Sequence, residues 1–236
     1  MYGKNWDQYY VRTYGSGKNK ALWDVPVDQA IALDYQLFAK SLNPDLPIID
    51  IGCGTGTQSV FLLNHYPRVL GVDVSAEAIK VARENHQIEN LEFDILDVTD
   101  TAQARFISKK IGPANIYMRG VLHQILDQHL PAFRQTIQTL LGTSGTMYCI
   151  EVSDQIRAHF KQENEKFSSL PERLRQVFIS NLPPKGLSVQ TLPSFFPPQE
   201  FDILSSGEAK LNTNICYSDG EAIFIPAIFG LVKHCR

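Results

Sequence analysis

The sequence has few cysteines, no long apolar run and no marked excess of either charge. Its four cysteines, Cys53, Cys149, Cys216 and Cys235, stand far apart, with no C-x-x-C pair and no histidine at metal-ligand spacing. A disulfide scaffold is therefore excluded, no metal site is expected, and a reducing cytoplasmic compartment fits. The longest apolar stretch, Ala222 to Val232, has eleven residues and contains Pro226 and Gly230. A membrane-spanning helix needs roughly 20. The opening Met1-Tyr-Gly-Lys-Asn-Trp-Asp7 is polar and aromatic, with no signal-peptide core. A soluble protein with no membrane partner is expected. Basic residues number 22 against 25 acidic ones, a net charge of −3. A dedicated nucleic-acid binder usually shows the opposite balance, so a nucleic-acid partner is not expected.

What is present is ordinary core material. The chain has 236 residues, 44% of them hydrophobic, including 13 Phe and 9 Tyr, enough for one large domain with an elaboration. From Pro47 the pattern alternates strand and helix. Apolar runs at Pro47–Ile51, Val69–Val72, Leu91–Phe93, Ala114–Met118 and Thr146–Ile150 are separated by stretches of helical periodicity. Asp24, Ser75 and Asp127 stand where helix caps are needed, Asp24 ahead of a helix that stops before Pro44. Strict alternation with short connections predicts an α/β fold with a doubly wound parallel sheet. Trp6, Tyr9, Tyr10, Tyr14 and Trp23 lie among turn formers and predict no regular element. After Glu151 the alternation breaks. Ile156, Phe160 and Phe167, then Leu170, Leu174, Val177 and Phe178, predict two amphipathic helices, followed by a Pro-rich stretch from Leu182 to Pro198 and a closing strand pair, Phe201–Leu204 and Ala222–Val232.

The sharpest local signal is Ile48-Ile-Asp-Ile-Gly-Cys-Gly-Thr-Gly56, three glycines between a strand and a helix. Doubly wound sheets bind ligands at such strand ends, and glycines let a ligand approach the backbone. Asp73 follows 21 residues after Gly52 at the end of the next strand, the usual place for a carboxylate that accepts ribose hydroxyls. A dinucleotide fingerprint would want Gly or Ala where Thr57 stands. Asp50, just ahead of the loop, would repel a pyrophosphate and favour a cationic ligand. S-adenosylmethionine (SAM) carries a sulfonium and an ammonium and no phosphate, so it is the better fit.

With these motifs the stretch Pro47 to Glu151 resembles a class I SAM-dependent methyltransferase of the small-molecule branch. Asp50-Ile-Gly-Cys-Gly-Thr-Gly56 resembles the family's D-x-G-x-G-x-G motif, and Gly71-Val-Asp-Val-Ser75 its G-x-D-x-S motif. The resemblance implies a Rossmann-like seven-stranded sheet whose last strand is antiparallel. It also implies cofactor contacts from Asp50, Gly52, Cys53, Gly54 and Gly56, with Asp73 and Val74 at the ribose. Leu91-Glu-Phe-Asp-Ile-Leu-Asp97 resembles the third-strand motif, which gives Asp97 the adenine amino group and sets Val98 beside the ring. Arg119-Gly-Val-Leu-His-Gln124 resembles the R-x-x-L-H segment, so Arg119 and His123 would line the methyl-transfer side. Asn115 departs from the branch's usual Asp, but it lies within the strand. As a general base His123 would take a proton from the acceptor; as a packed histidine it would only touch ligand.

Trp6-Asp-Gln-Tyr-Tyr10 and Leu22-Trp-Asp24 resemble the opening of thiopurine-methyltransferase-like enzymes. Tyr9, Tyr10, Tyr14 and Trp23 would then close over the site and offer ring faces to the sulfonium. A single domain is expected, with a lid and helix over 1–46, a SAM-binding core over 47–151, a mainly helical substrate cover over 152–200 and closing strands over 201–236. Between Gln155 and Lys185 six basic residues face three acidic ones, which suits an anionic acceptor or, equally simply, a solvated helix face. Phe195 and Phe196 either wall the pocket or anchor their loop. The leading function is methyl transfer from SAM to the O, N, S or C atom of a small molecule. The alternatives are an RNA or protein methyltransferase, a SAM-binding protein without catalysis, and an NAD-dependent oxidoreductase. Oligomeric state is not legible.

Overall fold

Runs of Ile, Val and Leu only four or five residues long suit strands that are buried on both faces. The computed structural model, which describes residues 2–14, 21, 23–156, 158–159, 186–216 and 222–235, places them as β1 (Ile48–Ile51), β2 (Val69–Asp73), β3 (Leu91–Ile95), β4 (Asn115–Arg119) and β5 (Thr146–Val152). Two longer strands, β6 (Phe201–Cys216) and β7 (Ala222–His234), complete one seven-stranded sheet of order β3-β2-β1-β4-β5-β7-β6. The first five strands pair in parallel, and β7 runs antiparallel to both β5 and β6. The order reverses between β1 and β4, so a crevice opens at their carboxyl ends.

Helices α1 (Tyr2–Tyr14), α2 (Ile31–Phe38), α3 (Thr57–Leu62), α4 (Ala76–Asn85), α5 (Thr101–Ile111) and α6 (Leu130–Leu141) surround the sheet. Because side chains alternate along a strand, each strand feeds two apolar layers. Ile48, Val69, Tyr117 and Tyr148 pack on one face with Phe38 and Leu62, while Ile49, Leu70, Met118 and Cys149 pack on the other with Phe133 and Ile137. Ser75 caps α4 by accepting from the Ala78 amide, and Asp100 caps α5 by accepting from Ala102 and Gln103. Among the described residues no helix is long and apolar enough to cross a membrane.

Three expectations need correction. Trp6, Tyr9, Tyr10 and Tyr14 lie on a regular helix, α1, while Trp23 stands in a turn beyond it. Trp6, Tyr9 and Tyr10 recur at i, i+3 and i+4 and so share one face, which packs inward. Asp24 caps nothing. The following segment is a 3-10 turn, Val27–Gln29, broken at Ala30 before α2, while the Asp24 carboxylate accepts from Tyr14 Oη at 2.8 Å and Thr57 Oγ1 at 2.6 Å. Asp127 likewise opens a 3-10 turn, and α6 starts behind it with Pro131 in its first turn and no side-chain cap.

The closing strands are far longer than the apolar run Phe201–Leu204 indicates, because β6 alternates polar and apolar along an edge. Of the two helices expected from Ile156 onward, residues 156 and 158–159 are helical, and the rest, with Leu182-Pro-Pro184, lies outside the described residues. Farther on, Phe195 and Phe196 anchor their loop and do not line the cavity. Phe196 is fully buried between Phe133 and Phe201, and Arg134 donates to the Ser194 and Phe195 carbonyls.

Candidate active site

The first glycine of the loop sits at the carboxyl end of β1 with φ +77°, and a Cβ there would come within 2.4 Å of Val121 Cγ2. Gly52 is thus required both by backbone conformation and by space. The next glycine serves a neighbour: the Gly54 amide donates to Asp73 Oδ2 at 3.0 Å while the Ser75 amide donates to Oδ1 at 2.9 Å. Asp73 is held by both oxygens at the end of β2, with lone pairs left for a ligand. Past the end of β3, Asp97 Oδ1 accepts from the Thr99 amide and hydroxyl at 2.9 and 2.6 Å. Two fixed carboxylates therefore stand at neighbouring strand ends.

Burial pushes the Asp73 carboxyl up to about 6, against the pull of the Ser75 and Gly54 amides. Burial also pushes Asp50 up to about 7, offset in part by the Ser59 hydroxyl, which donates to it at 2.5 Å. A cationic ligand would draw both toward the ionised form.

The opposite wall comes from β4 and β5. Arg119 Nε lies 3.5 Å from Asp34 Oδ2 of α2, nearly buried, and Tyr117 Oη donates to the same carboxylate oxygen at 2.8 Å. Arg119 Nε nevertheless makes no hydrogen bond, and neither does the buried Oδ1 of Asn212 from β6. After β4 the chain turns through Leu122–Gln124, where the fully buried Glu151 of β5 receives it. Its Oε1 accepts from the Val121 and Leu122 amides at 2.8 Å each, and its Oε2 lies 2.9 Å from His123 Nδ1.

Helix α1 roofs this crevice and is tied down at three places. Tyr2 Oη meets His129 Nδ1 at 2.8 Å and accepts from the Leu126 amide. Asp7 Oδ1 accepts from Ser75 Oγ at 2.7 Å and from the Glu77 amide at 3.3 Å. Tyr14 reaches Asp24, and Trp23 Nε1 reaches Tyr10 Oη. A Cβ on Gly54 would come within 2.8 Å of that same Tyr10 hydroxyl, so the lid rests on the glycine loop.

The resulting cavity holds about 1300 Å³ of empty space, counting its mouth. Of the residues expected at the site, Gly52, Asp73, Val74, Asp97, Val98, Arg119, His123, Tyr10 and Trp23 line it. Asp50, Cys53, Gly54, Gly56, Tyr9 and Tyr14 do not. Asp50 lies below the loop on Ser59, and Gly54 backs Asp73. Gly56 starts α3 at φ +83° against Phe93, and Tyr9 stacks on Trp23. Burial raises the Cys53 thiol well above its usual range and leaves it inert.

Asp34, Glu151, Asn212, Tyr2 and Trp6 were missed as site residues. The signal for Glu151 was present, since it is the only charged residue in an otherwise apolar strand. Asp34 and Asn212 had none, for their partners lie 85 and 93 residues away in sequence.

The residues present fit SAM. The paired carboxylates suit a nucleoside. Arg119, which lines the cavity, and Asn212 Oδ1, which makes no hydrogen bond, suit the carboxylate and ammonium of an amino acid. Comparison with known proteins agrees. Residues 42–180, more than half of the chain, match the family described as "Methyltransferase domain". A SAM-dependent methyltransferase from Anabaena variabilis ATCC 29413 is 34% identical and superposes with a TM-score of 0.92, covering 100% of this chain and 96% of that one.

A structure described for the conversion of a disulfide bond into a thioacetal group during echinomycin biosynthesis shares the fold at 19% identity, with a TM-score of 0.73 over 99% of this chain and 92% of that one. Juvenile hormone acid O-methyltransferase of Bombyx mori is 33% identical over 102 residues, which are 42% of this chain and only 35% of that protein. With the family established, the NAD-dependent alternative falls away. The chain belongs to the class I SAM-dependent methyltransferases, with S-adenosylmethionine as its cofactor.

Proposed function

We propose that the enzyme methylates a small, largely apolar molecule held between the cofactor and β6–β7. One observation carries this reading: beyond Arg119 and His123 the cavity wall is mostly apolar, with Val152, Ile156, Leu211 and Ile225 beside Gln124, Asn212 and Thr213, and Trp6 of the lid roofs it. Such a wall desolvates an apolar molecule and, among the described residues, offers an RNA backbone no Lys or Arg beyond the paired Arg119. The Bombyx mori relative, named for juvenile hormone acid, agrees with an apolar acceptor. Asp73 and Asp97 orient the nucleoside, Arg119 and Asn212 hold the methionyl end, and Tyr10 and Trp23 exclude water. Bound there, SAM supplies a methyl group on a cationic sulfur. The protein's part is alignment, which alone lowers such barriers by ~7–11 kcal/mol.

Calorimetric titration with SAM, S-adenosylhomocysteine and NAD tests the cofactor half, with micromolar binding of the first two and none of NAD expected. Release of S-adenosylhomocysteine in the presence of apolar small molecules, but not of total RNA or ribosomal protein, tests the acceptor half. Turnover on RNA or protein alone would overturn it.

A further inference from the structure

Strand β6 ends the sheet, and among the described residues no strand pairs with its outer side. Such an edge is a row of unpaired amides and carbonyls, which a protein must either blunt or use. Here only the two ends are blunted. The ladder to β7 loses register between Ile203 and Ser205 and again between Asn212 and Cys216, which leaves one regular stretch, Ser205 to Asn212. Ala209 stands near its middle.

The groups that face outward follow from the pairing on the inner side. The Ser153 amide donates to the Pro226 carbonyl, so Pro226 turns its backbone toward β5. Backbone groups alternate sides along a strand. Ala227 and Phe229 therefore turn toward β6, against Ala209 and Gly207. Ser206, Glu208 and Lys210 are left with amide and carbonyl directed away from the sheet. The Glu208 and Lys210 side chains are exposed and project from one face, on either side of Ala209.

We propose that the protein forms a two-fold dimer in which β6 pairs antiparallel with β6 of a second copy, centred on Ala209, joining the two sheets into one. In that register outward amides meet outward carbonyls, and each Glu208 stands opposite Lys210 of the other copy. Charges of one sign would keep two copies apart, whereas an opposite pair flanking the axis is self-complementary. The same charges select the register. Centring the pairing on Glu208 or on Lys210 sets like charges face to face, and a slip of one residue turns outward groups against inward ones. At the axis itself, where the chains come closest, Ala209 is small. The dimer is independent of which acceptor the enzyme methylates.

Sedimentation velocity of the full chain between about 1 and 100 µM, where small interfaces associate, should show a species of twice the chain's 26.6 kDa. Glu208→Lys and Lys210→Glu each gather like charges around the axis and should weaken association by about tenfold or more. Mixed in equal amounts, the two variants should associate again, because each lysine of one then meets a glutamate of the other. Ala209→Cys should cross-link to its counterpart under mild oxidation, since the two Cβ atoms lie near disulfide reach. Wild type should not, nor should Leu204→Cys, at the register break.

A protein that stays monomeric at the highest concentration overturns the proposal. So does a dimer that ignores both charge reversals, or one that Ala209→Cys fails to cross-link, since either places the interface elsewhere. If a charge variant does not fold, the wild-type mass and the Ala209→Cys cross-link decide.

Discussion

The two ends of the cavity are built by different means. At the nucleoside end each carboxylate is held by its own neighbourhood: Asp73 by the Ser75 amide and the adjoining glycine loop, Asp97 by Thr99. At the acceptor end nothing is local. Arg119 of β4 meets Asp34 of α2, His123 meets Glu151 of β5, and Asn212 comes from the edge strand β6. The first end follows from short motifs and keeps its geometry wherever the fold forms. The second exists only when four distant segments pack together, so its damage should appear as lost stability as well as lost function.

The largest test of that contrast is Arg119→Met. It leaves Asp34 buried with only the Tyr117 hydroxyl, and breaking a buried pair on one side costs about 3–5 kcal/mol. Urea unfolding should show that loss, and Asp34→Leu added to Arg119→Met should recover much of it. Asp97→Asn at the other end should stay within about 0.5 kcal/mol, as expected of a half-exposed group. Equal effects at both ends would remove the distinction.

Next in size is a pH effect centred on the nucleoside end. Asp50 and Asp73 rise to about 7 and about 6 in the folded protein, from an ordinary 3.8. Both bind protons more tightly when folded, so their contribution to stability is greatest below pH ~4 and is lost as pH rises through 6 and 7. Asp50→Asn keeps an acceptor for Ser59 Oγ and removes the larger of the two shifts. It should flatten the fall between pH 5 and 8 by an amount of order 3 kcal/mol, read from urea midpoints at each pH. SAM affinity should move the opposite way in wild type, strengthening as pH rises and the carboxylates ionise, and this slope should shrink in Asp50→Asn. A stability profile unchanged by the substitution would place the titration elsewhere.

The same division explains what was legible in advance. The alternation of strand and helix, the glycine loop and Asp73 are announced by patterns spanning a few residues each, while the antiparallel last strand and the role of Asp97 are implied by the family resemblance. The α1 helix was hidden because its aromatics sit among turn formers, and its regularity depends on a surface to pack against. Asp24 looks like a cap in sequence, yet two hydroxyls from other segments claim its carboxylate. Glu151 was legible as an anomaly, a lone charge in an apolar strand, but its partner His123 lies 28 residues earlier and only the β4–β5 pairing brings them together. Gly56 shows the reverse case, a motif glycine that looks like ligand contact and is occupied by packing on Phe93.

A functional counterpart of moderate size is Asp73→Ala. Removing a carboxylate preset by two amides should weaken SAM binding by about 1–3 kcal/mol while leaving the fold intact, as measured by calorimetry. Unchanged affinity would take Asp73 out of the site and leave the nucleoside end without its best-held group.

The smallest effect concerns the lid that spans both ends. Asp7 ties α1 to the start of α4 through Ser75 Oγ and the Glu77 amide, and its negative charge also helps raise Asp73. Asp7→Ala removes a tether worth about 1 kcal/mol and, in the same stroke, a like charge near the ribose carboxylate. The two consequences oppose each other in affinity, since a loosened lid weakens binding and a more readily ionised Asp73 strengthens it. A loosened lid should release SAM several-fold faster in stopped-flow displacement, while the equilibrium affinity shifts by less than the release rate because Asp73 ionises more readily. Removing a second tether with Tyr2→Phe should speed release without that compensation, since Tyr2 faces His129 and not Asp73. If both variants change affinity and release rate in equal proportion, the Asp7 charge has no part in the site and the lid acts through its tethers alone.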